Sequence, residues 1–316
     1  MPVGLRGRLY YIFLFIKGLC IGATGVLLGV SGASMALLLG VHHEFVVSFR
    51  ALDRRTLRLL KEKKFSASWK RVNGNFLVAI SAGIVTGLIT LRPIFNYYVG
   101  LYPIFISSFF FSLVIIAALL LLRKVTRWNL GVVLSLLTGL VFSYLLTRAA
   151  PFTTPDNIFT AWVSGFFAGS TFIIPGVSGS FILMFIGKYQ YILTSFGSLA
   201  FDAIVIFIAG GILGMAVFSR LLARLLAHYF TPTVALLAGL MIGSLNKIWP
   251  WREVYEYATT IEGKRIPAFD NSILPWRYLE ITGKDPQVFY AILMMALGVF
   301  MVVLIEKIAA RLNTRS

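Results

Sequence analysis

Residues 22–40 read GATGVLLGVSGASMALLLG, and residues 169–187 read GSTFIIPGVSGSFILMFIG. Overlaid at a shift of 147, they share both outer glycines, a threonine and the block Gly-Val-Ser-Gly, so that Gly22, Thr24, Gly29, Val30, Ser31, Gly32 and Gly40 face Gly169, Thr171, Gly176, Val177, Ser178, Gly179 and Gly187. Each block lies in the middle of an apolar run. A backbone-loosening tetrapeptide inside an apolar segment, once per half, is the sequence signature of a transporter site built from discontinuous helices.

Working outward, the chain is 58% hydrophobic and 13% charged, with a mean hydropathy of +0.85. That composition is one of polytopic helical membrane proteins and leaves no stretch for a soluble domain. Cys20 is the single cysteine, which excludes an internal disulfide. The opening residues have the basic-then-apolar order of a signal peptide, but Lys17 interrupts the apolar run, so cleavage is not expected. The net charge of +17 fits basic cytoplasmic loops against anionic headgroups better than nucleic acid.

The first apolar stretch, about 9–47, is followed by a loop at 50–71 with nine Lys/Arg and two acids. Such a loop belongs on the cytoplasmic side, as do Arg6 and Arg8, so both ends of the stretch share one side. A span needs about 20 residues. Even parity and the glycines at 18, 22, 25, 29, 32 and 40 therefore favour a re-entrant helical hairpin over two thin spans. Spans follow at about 76–91, 104–122 and 130–147, with an interfacial belt of Asn96, Tyr97, Tyr98 and Tyr102 between the first two. The second half repeats the plan with a hairpin at about 159–199 and spans near 203–219, 233–249 and 288–305.

The loop 251–287 balances five basic against six acidic residues and reads as external. Three crossings per half would turn the second copy over. The expected fold is thus an all-α polytopic membrane protein with an inverted-topology repeat, 1–148 and 149–316, each half one hairpin plus three transmembrane helices, and both termini cytoplasmic. Later matches support this. AGIVTG at 82–87 resembles AGGILG at 209–214, Arg92 is paired with Arg220 at a shift of 128, and Pro103 with Pro232 at 129.

At the two breaks, glycine lets amides turn toward one point, and Pro175 prevents a helical hydrogen bond from closing. Helices starting there present unpaired N–H groups, and serine hydroxyls add donors, which suits an anionic headgroup such as phosphate. The substrate-binding candidates are Gly29, Ser31, Gly32, Ser34, Gly176, Ser178, Gly179 and Ser180, with Arg92 and Arg220 as countercharges. The competing explanation is that small residues merely let helices approach closely. Glu44 and His43, with His42 beside them, are titratable positions for coupling or gating. Lys17 and Arg148 join them, although Lys17, Arg148 and Lys188 read better as snorkelling anchors. No HExxH, GxSxG, Walker loop or Cys/His metal spacing occurs, so neither an enzyme nor a cofactor or metal is expected.

The run Lys17-Gly-Leu-Cys-Ile-Gly22 leading into Gly29-Val-Ser-Gly32, together with Ile174-Pro-Gly-Val-Ser-Gly-Ser-Phe-Ile-Leu183, resembles a bacterial membrane family first catalogued as a domain of unknown function and now described as undecaprenyl-phosphate translocases, PopT. The resemblance spans essentially the whole chain. It implies a cytoplasmic (inner) membrane flippase returning undecaprenyl phosphate from the outer to the inner leaflet, with membrane lipids and a coupling ion, H+ or Na+, as further partners. The chain departs from the family pattern before the first block, where Leu28 and Gly25 stand in place of a proline and an acidic residue, and after it, where Ala33-Ser34 replaces Gly-Thr. The alternatives are a transporter of a small water-soluble anion and a non-transport membrane scaffold.

Overall fold

A computed structural model describes residues 7–24, 30–149, 152, 154–259 and 265–313. Gly29, with Gly25 and Leu28, lies outside the described residues, as does the side chain of Arg92.

The apolar runs fold as helices whose starts are written in the sequence. The first run gives α1 (Arg8–Thr24), α2 (Gly32–Leu38) and α3 (His42–Arg50). The basic loop folds into α4 (Arg54–Lys61) and α5 (Phe65–Arg71), with the Asp53 carboxylate capping α4 through the Thr56 amide at 2.9 Å. Then come α6 (Gly74–Leu101), α7 (Pro103–Leu122) and α8 (Leu130–Arg148). Pro103 occupies the first turn of α7, where no amide is needed, and Asn129 caps α8.

The second run gives α9 (Ile158–Ser170), opened by an Asn157/Thr160 capping box, then α10 (Gly179–Phe185) and α11 (Tyr189–Gly197). The last elements are α12 (Phe201–His228), α13 (Phe230–Ile248), the strands β1 (Arg252–Thr259) and β2 (Arg265–Ser272), α14 (Pro275–Thr282) and α15 (Val288–Asn313). The strands pair antiparallel, from Arg252↔Ser272 to Thr259↔Arg265.

Among the described residues, five helical segments are long and apolar enough to cross a membrane: Gly74–Leu91, Pro103–Leu122, Leu130–Arg148, Phe201–His228 and Phe230–Ile248. The pair α2 and α3 would make a sixth, but it is bent by 117° across Leu39–Val41. The protein is therefore a polytopic α-helical membrane protein with a sharply broken apolar segment in its first half.

Several boundaries differ from the sequence reading. Helix α6 does not stop at 91 but continues past Pro93 to Leu101, taking in Asn96, Tyr97 and Tyr98. A proline removes one helical hydrogen bond, and here that does not end the helix. Helix α12 likewise runs beyond 219 to His228, and only Tyr229 separates it from α13. Pro232 sits in the first turn of α13 and costs no amide bond. The loop 251–287 carries a β-hairpin and a helix, a small departure from an all-α chain.

The two halves share local geometry. Helices α2 and α10 have seven residues each, α3 and α11 nine each, and α6 and α12 twenty-eight each. Ser31 (φ −85, ψ 128) and Ser178 (φ −92, ψ 134) both precede a short helix in extended conformation. Gly40 (φ +72) and Gly187 (φ +74) turn the chain into the next helix in the left-handed region that glycine alone adopts without strain. Tyr102 (φ −131, ψ 56) and Tyr229 (φ −133, ψ 52) make the same corner. The ends of α6, Gly74 and Leu101, correspond to Phe201 and His228 at a shift of 127, not 128, so Arg92 falls opposite Ser219 and Arg220 opposite Pro93.

Two glycine seams join the arms. A Cβ on Gly18 would meet the Ile80 carbonyl oxygen at 2.3 Å, and one on Gly83 the Phe15 carbonyl oxygen at 2.1 Å, so α1 and α6 touch backbone to backbone. Gly165 and Gly210 hold α9 against α12 in the same way, at 2.0 Å from the Phe207 oxygen and 2.2 Å from the Trp162 oxygen. With no hydrophobic drive between helices in lipid, such close approach supplies the dispersion contact that holds a pair together. The core lies where α13 packs between α7 and α8, with α15 against α7. Ala235, Ala238 and Met241 of α13 are fully enclosed there.

Candidate functional site

The two serine-bearing breaks converge on one cavity of about 340 Å³. From the first half it is lined by Ile21 and Gly22 of α1, Val30 and Gly32 at the first break, and Ile84 and Leu88 of α6. From the second half come Gly165, Ala168 and Gly169 of α9, Thr171 and Phe172, Ser178 to Ser180, Leu183 of α10, and Phe207, Ile208, Gly211, Ile212 and Met215 of α12. Equivalent positions thus face one space: Gly22 with Gly169, Gly32 with Gly179, Ile84 with Gly211, and Leu88 with Met215. Among the described residues, and outside the serine and threonine groups and the backbone, the lining is apolar.

The polar groups at the breaks have distinct tasks. Ser178 and Ser180 share a hydroxyl hydrogen bond at 2.9 Å and both line the cavity. Ser31 stands between the lining residues Val30 and Gly32, and its buried hydroxyl has no partner among the described residues. Neither Ser31 nor Ser178 closes a capping bond to its own short helix, so the first-turn amides of α2 and α10 are left without that acceptor. Helices of two turns contribute donors of this kind more than a macrodipole.

The other serine and glycine candidates fasten the breaks. The Ser34 hydroxyl accepts the Gly176 amide at 3.1 Å, a buried tie between the halves. Gly176 has φ +92, and a Cβ there would lie 2.5 Å from the Leu240 carbonyl carbon, so this glycine seats the second break on α13. His42, which the sequence offers with Glu44 and His43 only as a titratable position, bonds the Ile173 carbonyl through its Nε2 at 2.8 Å. A carbonyl only accepts, so Nε2 carries the hydrogen. The ties reach from the start of α2 and the start of α3 to the 171–176 turn, and neither could be inferred from spacing, since each joins residues more than 130 positions apart.

Among the described side chains, Lys17, Arg148, Lys188 and Arg220 do not line the cavity. Arg92 falls on α6 one turn beyond Leu88, in the row of Ile84 and Leu88. Its counterpart by register, Ser219, lies one turn beyond Met215 on α12 and has a buried hydroxyl without a partner among the described residues. Arg220 bonds the Leu52 carbonyl at the end of α3. The Lys17 ammonium donates to the Leu39 carbonyl at 2.8 Å and so caps the C-terminus of α2.

Lys188 is fully enclosed. It donates to the carbonyls of Thr154 at 2.7 Å and Pro155 at 2.5 Å and to the Asp156 carboxylate at 2.5 Å, so all three of its hydrogens are used. The same segment also gives the Phe152 amide to Phe185 and the Thr154 hydroxyl to Ile186, closing the end of α10. Glu44 accepts from the Tyr10 hydroxyl at 3.1 and 3.2 Å, His43 is exposed, and Arg148 bonds Asn271 of the hairpin loop. Among the described residues, no group of three or more His, Cys, Asp or Glu is placed to hold a metal.

Residues 21–266, which contain both breaks, match the family described as undecaprenyl phosphate translocase-like. The chain belongs to that family. Among curated translocase-like relatives it is similar to a polyprenyl-phosphate transporter of Vibrio cholerae, 32% identical over 301 residues that cover 95% of this chain and 98% of that protein. It is also similar to a polyprenyl-phosphate transporter of Staphylococcus aureus, 26% identical over 254 residues, covering 74% of this chain and 85% of that one. No solved structure matches the chain.

Proposed function

We propose that this protein carries a polyprenyl phosphate, undecaprenyl phosphate in a bacterial cytoplasmic membrane, from the outer to the inner leaflet by alternating access driven by an ion gradient. The phosphate binds between the two breaks, on the amides that open α2 and α10 and on the hydroxyls of Ser31, Ser178 and Ser180. Arg92, one turn away along α6, supplies the countercharge. Arg220 serves at one remove, by holding the end of α3.

The cavity carries this reading. Its volume is that of roughly ten water molecules at ~30 Å³ each, room for a headgroup and not for a polyprenyl tail. Its α6 and α12 walls include Leu88, Ile208 and Ile212, which are substantially exposed on the apolar outer surface. A tail leaving between α6 and α12 stays in hydrocarbon while the headgroup is sheltered from it, and that is where the energy barrier to flipping lies. A small water-soluble anion would not need an apolar sideways opening. The printed names of both relatives agree with a polyprenyl-phosphate substrate.

The matched junctions of the two halves support an inverted repeat in which the breaks exchange roles as the site opens to alternate sides. The test is reconstitution into liposomes with undecaprenyl phosphate and time-resolved assay of headgroup exposure. Protein-dependent reorientation, slowed at least tenfold in Ser178→Ala/Ser180→Ala, is expected. Transport of a soluble phosphate compound in place of the lipid would overturn the reading.

A further inference from the structure

Between α3 and α6 the chain forms a basic two-helix strap. Residues 50–71 carry nine Lys/Arg against Asp53 and Glu62. Among the described residues, the two acids pair only with Arg71, Arg58 and Lys64. Arg50, Arg54, Arg55, Lys61, Lys63 and Lys70 therefore remain as a cationic excess.

The strap is anchored at both ends. Arg71 holds the Asp53 carboxylate at 2.5 Å and the Thr56 hydroxyl at 3.0 Å, Trp69 donates to Asn75 at 2.7 Å, and Arg220 holds Leu52. Thr56 and Ser68 face inward and are buried. On the outward side Leu57 is 59% exposed, Leu60 42%, Phe65 64% and Trp69 48%. The helical spacings of Leu57 with Leu60 and of Phe65 with Trp69 give each helix of the strap an exposed apolar stripe, with Arg54, Arg58 and Lys61 beside the leucines on α4. The strap ends at Gly74, where a membrane-crossing segment begins.

We propose that α4 and α5 form an interfacial docking surface for an anionic leaflet, with Leu57, Leu60, Phe65 and Trp69 at the acyl boundary and the basic side chains on lipid phosphates. An apolar stripe flanked by cations, beside a span, matches the chemistry of that surface and of no neutral one. Because the strap carries the end of α3, and His42 at the start of α3 ties to the second break, docking fixes the depth of the break assembly in the membrane. This surface is distinct from the cavity, so its test does not depend on the substrate.

The experiment uses the full-length Cys20→Ser protein with Leu60→Cys, or separately Leu57→Cys, labelled with an environment-sensitive fluorophore. Each is reconstituted in phosphatidylcholine vesicles with or without phosphatidylglycerol, some of it bearing brominated acyl chains. Blue-shifted emission and quenching at least twofold stronger with phosphatidylglycerol are expected at both positions. Both effects should weaken at about 1 M salt, where the Debye length is ~3 Å, and in Arg54→Gln/Arg55→Gln/Lys61→Gln. Water-like emission at both positions whatever the lipid would overturn the proposal. So would a shift produced only by added polyglutamate, which would assign the strap to an acidic protein partner.

Discussion

Ser34 and Lys188 show how single side chains hold non-helical backbone in place. Ser34→Ala leaves the buried Gly176 amide without its acceptor, a loss of about 1–3 kcal/mol. The expected result is a lower unfolding temperature in detergent together with slower lipid transport. Lys188→Met strips the Thr154 and Pro155 carbonyls of their donor, while the largely exposed Asp156 is rescued by water. About 1–3 kcal/mol of stability is expected to go with it, and limited proteolysis at 149–157 should accelerate.

At this scale the sequence was only partly legible. Gly32, Gly176, Ser178 and Gly179 could be picked out because a repeat marked them. Ser34, Gly176 and His42 are joined by contacts between distant parts of the chain, which no local pattern encodes. Lys17 and Lys188 looked like anchors because a lysine near an apolar end usually is one. Here they close the ends of α2 and α10 instead.

The glycine seams matter most at the scale of elements. A side chain at Gly83 or Gly210 must push two helices apart, since backbone oxygen lies within 2.2 Å of the added carbon. Gly83→Ala and Gly210→Ala are each expected to destabilise by about 1–3 kcal/mol or more, read by thermal unfolding. Gly100→Ala, which meets nothing within 4 Å, is the neutral control. Close helix packing thus accounts for Gly18, Gly22, Gly165 and Gly169, even though Gly22 and Gly169 also line the cavity.

The cap of α4 gives a pH prediction. The Thr56 amide, and after it Arg71, holds the Asp53 carboxyl below its ordinary value. Its contribution is therefore complete above the unfolded value of about 3.9 and is lost as pH falls through the lower folded value. Hydrogen-exchange protection in 53–61, taken relative to the intrinsic rate at each pH, is expected to fall below about pH 4 and to be insensitive to pH in Asp53→Asn. Helix existence was readable from apolar runs and caps. The extension of α6 through Pro93 was not, because a proline in sequence marks a boundary more often than a continuing helix.

For the whole molecule, the account makes the gap between α6 and α12 the route of the lipid tail. In a Cys20→Ser background, a short bifunctional reagent bridging Leu88→Cys and Ile208→Cys is expected to stop lipid movement at least tenfold, with recovery when the bridge is cleaved. Unchanged transport after complete bridging would place the tail elsewhere. The class and the paired breaks were visible in composition and repeat. A pocket between the two breaks was an expectation from the repeat, but which helices wall it was not legible, since that depends on how α1/α6 and α9/α12 are set against each other.

The most direct measurement uses a polyprenyl phosphate with a photoreactive group beside its phosphate, cross-linked to the reconstituted protein and mapped by peptide mass spectrometry. The account predicts adducts on both 30–34 and 178–183, competed by unlabelled lipid. Adducts confined to the hairpin loop 251–287, or to one break alone, would contradict a shared site.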